Sequence, residues 1–299
     1  MGRHPDVLCL PESEFKVDLF RYLKKRGPQT GDAVLRFLSN NTKFRLWQVP
    51  LELSTDSSVD EFGIGSIYEK LVSEYAEMVQ KRDFDLWVDH SPSNIDSVAS
   101  LARVFPDSRF IHIVRDGRAV ANSIIDLDWG PNTITGAARW WSQRLSYGLA
   151  AETSENWPTM RVQFERLIAQ PRVVVAEICD FVGLSVDEAM FAPGGFMVPR
   201  WTTEQHERVG SDFDSEAVGG WKTELTLRQI EIFEHESRDL LALLGYEPVF
   251  GGGTVGPTSA ERSSEFVIEL WRSRVLNAWR FRRRMGIPLF RSRARSPAN

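Results

Sequence analysis

The sequence predicts an α/β protein with a parallel sheet flanked by helices, and three observations carry that reading. The first is the run from Arg109 to Val114, β-branched and aromatic, bounded by Asp107-Ser108 before it and Asp116-Gly117 after it, which favours a buried strand. The second is the change of period that follows. From Ala119 onward Val120, Ile124 and Leu127 recur at helical spacing, with Asp116 or Gly117 offering the cap, so a strand feeds a helix through a tight turn. The third is that shorter strand-like runs at Asp85–Asp89 and Thr159–Phe164 also alternate with helical stretches, as parallel sheets covered by helices require.

In chain order, His4 to Ser13 is an irregular mix with no clear period. Val17 to Lys25 and Asp32 to Leu38 read as short helices separated by the Arg26-Gly27-Pro28 breaker, and residues 54–60 as a polar loop. Ile64 to Gln80 is an amphipathic helix with Ile67, Leu71, Tyr75 and Val79 as its stripe. The strand at 85–89 stops at His90-Ser-Pro-Ser-Asn94, where Ser93 or Asn94 caps a helix running through Val104. Thr133 to Thr153 forms a long helix holding Trp140 and Trp141, which read as core and interface residues. Pro171 opens a further helix that Gly183 closes. Residues 192–220 are Gly-rich and mixed in polarity, the pattern of a functional loop or lid, and Leu225 to Leu244 is a helix. Gly251-Gly-Gly253 with Pro257 marks a linker. Beyond it Ser264 to Arg284 reads as a basic amphipathic helix with Ile268, Trp271, Val275 and Trp279 on one side. The expected organisation is a main domain over 1–250, a linker over 251–260, and a basic helix and tail over 261–299.

Composition narrows the class. With 299 residues, 42% hydrophobic and 26% charged, the chain has the makeup of an ordinary globular protein able to bury a sizeable core. No apolar run approaches the roughly 18 to 20 residues of a transmembrane helix, and the N-terminus lacks an apolar signal core, so a cytoplasmic location is the default expectation. Cys9 and Cys179 stand alone, which predicts two reduced thiols and no zinc cluster. The net charge of −5 conceals an asymmetry. Nine of the 36 basic residues are Arg within 272–299, a stretch without Asp or Glu, leaving 27 basic against 41 acidic residues, a net of −14, elsewhere. An acidic body opposes nucleic-acid binding, whereas the Trp- and Arg-bearing stretch 264–284 suits a membrane surface or a partner helix, making the protein peripheral to a membrane in that case.

The strand-to-helix junction aims unpaired N–H groups and a helix dipole at whatever lies above the strand end, which suits a phosphate. Arg115 stands where a guanidinium grips phosphate oxygens bidentately, and Ser123 adds a hydroxyl eight positions on. The alternative is an ordinary corner in which Arg115 and Arg118 pair with Asp116 or nearby acids.

Three segments together resemble the PAPS-dependent sulfotransferases, especially bacterial enzymes akin to the tyrosylprotein sulfotransferases. Phe110-Ile-His-Ile-Val-Arg-Asp-Gly-Arg-Ala-Val-Ala-Asn-Ser123 is similar to their 3′-phosphate motif; Val162-Gln-Phe-Glu-Arg-Leu167 before Pro171 is similar to their Tyr-Glu-Asp-Leu segment; Gly219-Gly-Trp-Lys222 with Leu225-Thr-Leu-Arg-Gln229 and Leu244-Gly-Tyr246 is similar to their C-terminal signature. The order of the three covers residues 4–246 and is more specific than any one motif. The resemblance implies a P-loop-like sulfotransferase fold, with Arg115 and Ser123 on the 3′-phosphate of 3′-phosphoadenosine 5′-phosphosulfate and Phe164 near adenine. It also implies Thr203, Arg208 and Lys222, with Thr202, as further nucleotide contacts, and no requirement for metal. Glu12 falls where the tyrosine-directed enzymes place their general base. His90, in Asp89-His-Ser-Pro92, stands where many relatives have the Lys of Asp-Lys-Thr-Pro near the transferring group.

The resemblance also predicts a 5′-phosphosulfate loop of the form Arg-Ser-Gly-Thr-Thr just upstream of His4, on a strand central to the sheet. No such sequence occurs in the chain, and neither does GxxxxGK[ST], which disfavours a P-loop kinase. Two functions are therefore expected from the residues: sulfuryl transfer to a hydroxyl or amine of a small-molecule or protein acceptor, or a truncated or degenerate nucleotide-binding module of the same fold without catalysis.

Overall fold

The computed structural model describes residues 1–55, 57–192 and 216–284. The chain packs as two compact units. The first is built from Met1–Val114 and the stretch from Ser146, the second from Arg115–Leu145 and the stretch from Asp214.

The first unit opens with β1 (Val7–Cys9), α1 (Phe15–Arg26), β2 (Gln29–Thr30), α2 (Gly31–Asn40), α3 (Thr42–Trp47) and β3 (Ser58–Val59). α4 (Ile64–Met78), β4 (Leu86–Val88), α5 (Val98–Val104) and β5 (Phe110–Val114) follow. β1 and β4 pair in parallel with Cys9 opposite Val88, and the short β2–β3 pair is antiparallel. Their core is apolar and aromatic: Phe15, Leu19 and Leu23 of α1 meet Trp47, Tyr68 and Leu71, with the Phe15 and Trp47 rings 5.3 Å apart and edge-on.

At Val114 the chain enters the second unit through α6 (Gly117–Ile124), and α7 (Ile134–Glu152) starts there and ends in the first. The first unit then adds β6 (Thr159–Gln163), α8 (Phe164–Ala169) and α9 (Pro171–Val182). β6 pairs in parallel with β5, Val114 opposite Gln163, and Val162, Val174 and Ile178 pack beneath. Gly183, at φ 83°, terminates α9 as the sequence indicates, in a left-handed conformation that glycine adopts without a Cβ clash. The second unit continues with α10 (Glu216–Gly219), α11 (Trp221–Glu224), α12 (Leu227–Leu243), α13 (Ser259–Trp271) and α14 (Asn277–Arg284), the last two joined by one π turn. Thr226 with Gln229 and Thr258 with Glu261 form capping boxes that start α12 and α13.

The fold is the α/β arrangement expected, with three differences of detail. The irregular stretch 4–13 contains β1, invisible to periodicity because a three-residue strand is too short to show an alternation. The helix after Pro92 begins as a 3₁₀ segment and becomes α-helical only at Val98; Asn94 spends its amide on Asp89 (Nδ2 to Oδ1, 3.3 Å) rather than on a cap. The parallel strands also form two pairs rather than one continuous ladder. Among the described residues no strand joins these two pairs.

Candidate active site

In the first unit the parallel register of β1 with β4 sends two loops out of the same end of the sheet, one carrying Glu12 and the other His90. A buried polar hub fastens them together. Asp89 Oδ2 accepts from Lys16 Nζ at 2.7 Å, from Tyr68 OH at 2.6 Å, and from the Ser13 hydroxyl. Asp89 Oδ1 accepts from Ser91 N at 2.8 Å, and Ser91 Oγ in turn accepts from Ser13 N at 2.6 Å. The Lys16 and Asp89 side chains are only 3% and 5% exposed, so water does little to screen the pair. Burial alone would push the Asp89 carboxyl up; the Lys16 ammonium and the hydrogen bonds from Lys16, Ser13 and Ser91 outweigh it and hold the group well below the usual carboxylate range. Burial, with the Asp89 charge beside it, pushes the Tyr68 phenol well above its ordinary value, so it remains a neutral donor.

Glu12 is set from both sides. Trp47 Nε1 donates to its carbonyl at 3.0 Å, and Lys43 Nζ stands 3.1 Å from its carboxylate and 3.4 Å from that of Glu14. His90 is exposed at the end of β4 beside the hub. Phe164 is half-buried as the first residue of α8, which begins at once where β6 ends.

In the second unit Asp116 caps α6, its Oδ1 accepting from Arg118 N at 2.9 Å. Arg118 is wholly engaged. Its guanidinium donates to both Asp116 oxygens (3.0 and 2.8 Å), to Glu234 Oε1 at 2.6 Å and to the Glu247 carbonyl at 3.0 Å, and it stacks 4.1 Å above the Trp221 ring. The structural pairing open for the two arginines is thus realised by Arg118. Gly117 is needed at the turn because a Cβ there would stand 2.5 Å from Phe233 and 2.6 Å from Trp141, and Trp141 Nε1 donates to the Arg115 carbonyl at 3.2 Å. Ser123 is exposed, its hydroxyl donating to the Val120 carbonyl at 2.8 Å. That hydroxyl can rotate to donate to an anion, and with Arg115 at the start of the same turn this is the donor set a phosphate takes. Lys222 is exposed on α11, its ammonium 5.7 Å from the Trp221 ring centroid. Thr202, Thr203 and Arg208 lie outside the described residues.

Sequence reading missed the hub, whose members Lys16 and Asp89 are 73 positions apart, and missed Glu234, 116 positions from Arg118. It also missed a second polar cluster in the first unit, in which His112 is buried, Glu152 half-buried and Arg161 exposed. His112 Nδ1 donates to Glu152 at 2.6 Å, Arg161 Nε donates to the same carboxylate at 2.9 Å, and the imidazole lies so close over Gly148 that a Cβ there would clash with it. The pairing of Arg161 opposite His112 in the β5–β6 register is the one signal that connects them.

Comparison with known proteins agrees with this architecture. A sequence model described as the sulfotransferase family matches residues 1–188, and the chain belongs to that family. Protein-tyrosine sulfotransferase 2 of Gallus gallus is 26% identical over 175 residues, which is 52% of this chain and 45% of that protein. The chain thus spans about half the length of that curated relative. Two solved structures share the fold: the sulfotransferase domain from the Synechococcus PCC 7002 olefin synthase (TM-score 0.55, 21% identity, 82% of this chain and 88% of that one) and the sulfotransferase domain from the curacin biosynthetic pathway (TM-score 0.53, 14% identity, 82% and 91%).

Proposed function

We propose that the protein transfers a sulfuryl group from 3′-phosphoadenosine 5′-phosphosulfate to an acceptor hydroxyl or amine. The observation that carries the reading is the Ser13–Asp89–Ser91 connection, which fixes the loop bearing Glu12 against the loop bearing His90 at the shared end of two parallel strands. In this reading Arg115 and Ser123 hold the 3′-phosphate, Phe164 packs near adenine, and Thr203, Arg208 and Lys222 add contacts to the nucleotide. Glu12 takes the proton from the acceptor as its oxygen or nitrogen bonds to sulfur. The bond from sulfur to the bridging oxygen breaks, and that electron pair stays on the departing 5′-phosphate. His90 when protonated offsets charge growing on the transferring group, and no metal enters the reaction. The acceptor is a small molecule or a protein, and a cytoplasmic location belongs to the same proposal.

A second reading is a truncated or degenerate nucleotide-binding module of the same fold without catalysis. Transfer of labelled sulfate from the nucleotide to a panel of hydroxyl and amine acceptors separates the two. Label transferred by the wild type and lost in Glu12→Gln supports the enzyme; nucleotide binding without transfer to any acceptor favours the module.

A further inference from the structure

We propose that the helical segment Ser259–Arg284 seats the protein on an anionic lipid surface, through an apolar face that it turns away from the protein. A helix on a globular surface ordinarily buries its apolar stripe and wets its polar one. This one does the reverse. Along one side, Glu261 accepts from the Arg228 guanidinium at 2.9 and 2.8 Å, Glu265 accepts from Thr135 N at 3.3 Å, and Glu269 accepts from Asn132 N at 2.7 Å and Thr133 Oγ1 at 2.9 Å. The π turn at Arg272–Leu276 shifts the helical phase, and the same side goes on with Arg272 against Asp126 at 3.3 Å, Asn277 Nδ2 donating to Asn132 Oδ1 at 2.7 Å, and Arg280 donating to the Asp126 carbonyl at 3.2 Å. Polar residues three to five apart thus fasten the helix to the second unit.

The other side is left apolar and wet. Phe266 is 67% exposed, Val267 63% and Trp271 55%, with Leu270, Val275 and Trp279 exposed beside them. A run of large side chains of this kind is not the single scattered exposure of an ordinary surface. Charge decides what covers it. Arg274 and Arg282 are exposed on the same segment, and no Asp or Glu follows Glu269 in the sequence. A second copy seated symmetrically here would set arginine against arginine. Trp, Phe and Leu flanked by arginine match the interface of an anionic bilayer, where rings and aliphatic chains enter the headgroup boundary and guanidinium groups meet phosphate. Residues 1–271, at net −14, are repelled by such a surface, so the basic end of the chain is the part that approaches it.

Flotation of the full chain with phosphatidylcholine vesicles, with and without phosphatidylglycerol, tests the proposal. Binding is expected only with the anionic lipid and is expected to weaken with added salt. The triple variant Phe266→Ser, Leu270→Ser, Trp271→Ser, whose residues are already exposed and so leave the core intact, should lose about tenfold or more in affinity. Arg274→Glu with Arg282→Glu, an independent variant, should also lose at least about tenfold. Failure of the wild type to float with anionic vesicles would overturn the proposal, as would undiminished binding by both variants. A dimer in solution that the triple variant dissolves would instead assign the face to a second copy.

Discussion

Replacing Asp89 by Asn removes one charge from the hub and keeps the side chain's shape. Five groups converge on this carboxylate, from Lys16, Tyr68, Ser13, Ser91 and Asn94, and Asn would leave the Lys16 ammonium buried beside a neutral amide. Breaking a buried pair by removing one partner costs about 3–5 kcal/mol, and because the amide oxygen still accepts one bond the lower end, about 3 kcal/mol, is expected. In urea unfolding followed by circular dichroism the midpoint should fall by roughly 1 M. Lys16→Met in the Asp89→Asn background should then be neutral or restoring, since it removes the stranded ammonium, whereas in the wild type it should be strongly destabilising. The pH dependence has a definite sign. A carboxyl depressed in the folded state contributes stability that is complete above its unfolded value near ~4 and drains away as pH falls below it, so the gap between wild type and Asp89→Asn should narrow in acid. A cost under about 1 kcal/mol, or strict additivity of the two substitutions, would refute the hub as described.

Other consequences follow from single contacts. Arg118→Met leaves Glu234, 1% exposed, without its guanidinium, and should cost about 3–5 kcal/mol in the same unfolding measurement. Gly117→Ala forces a methyl into Phe233 and Trp141, two rings already in contact, and should cost about 1–3 kcal/mol by thermal melting, with no compensating gain in helix propensity visible. Gly148→Ala drives a methyl into the His112 imidazole and should lower the melting temperature by a similar route, more than an alanine at the half-buried Gly219, where a Cβ meets nothing.

Local signals were legible and long-range ones were not. β5, the Asp116 cap and α6 could be read because a β-branched run, a capping carboxylate and a helical period lie within fifteen residues of one another along the chain. Pro171 and Gly183 likewise bounded α9 through backbone properties that belong to single residues. β1 and α8 escaped: the first is a strand only because β4 pairs with it, and the second begins at Phe164, directly where β6 ends. Glu12 and His90 stood out only through resemblance, whereas the hub that fixes their loops carries no motif. Lys16 sits in an amphipathic helix where a lysine ordinarily faces water, and only the arrival of Asp89 from β4 makes its burial tolerable. The amphipathic pattern of the C-terminal helix was visible, but sequence alone did not show that its polar side faces the protein.

The most direct test of the proposed function is calorimetric titration of the chain with adenosine 3′,5′-bisphosphate, beside Arg115→Ala and Ser123→Ala. The account predicts saturable binding by the wild type, a loss of about tenfold or more in Arg115→Ala, where a charged hydrogen-bonding group is removed, and a smaller loss of a few-fold in Ser123→Ala. A folded wild type that releases no binding heat, and whose melting temperature the nucleotide does not raise, would contradict it.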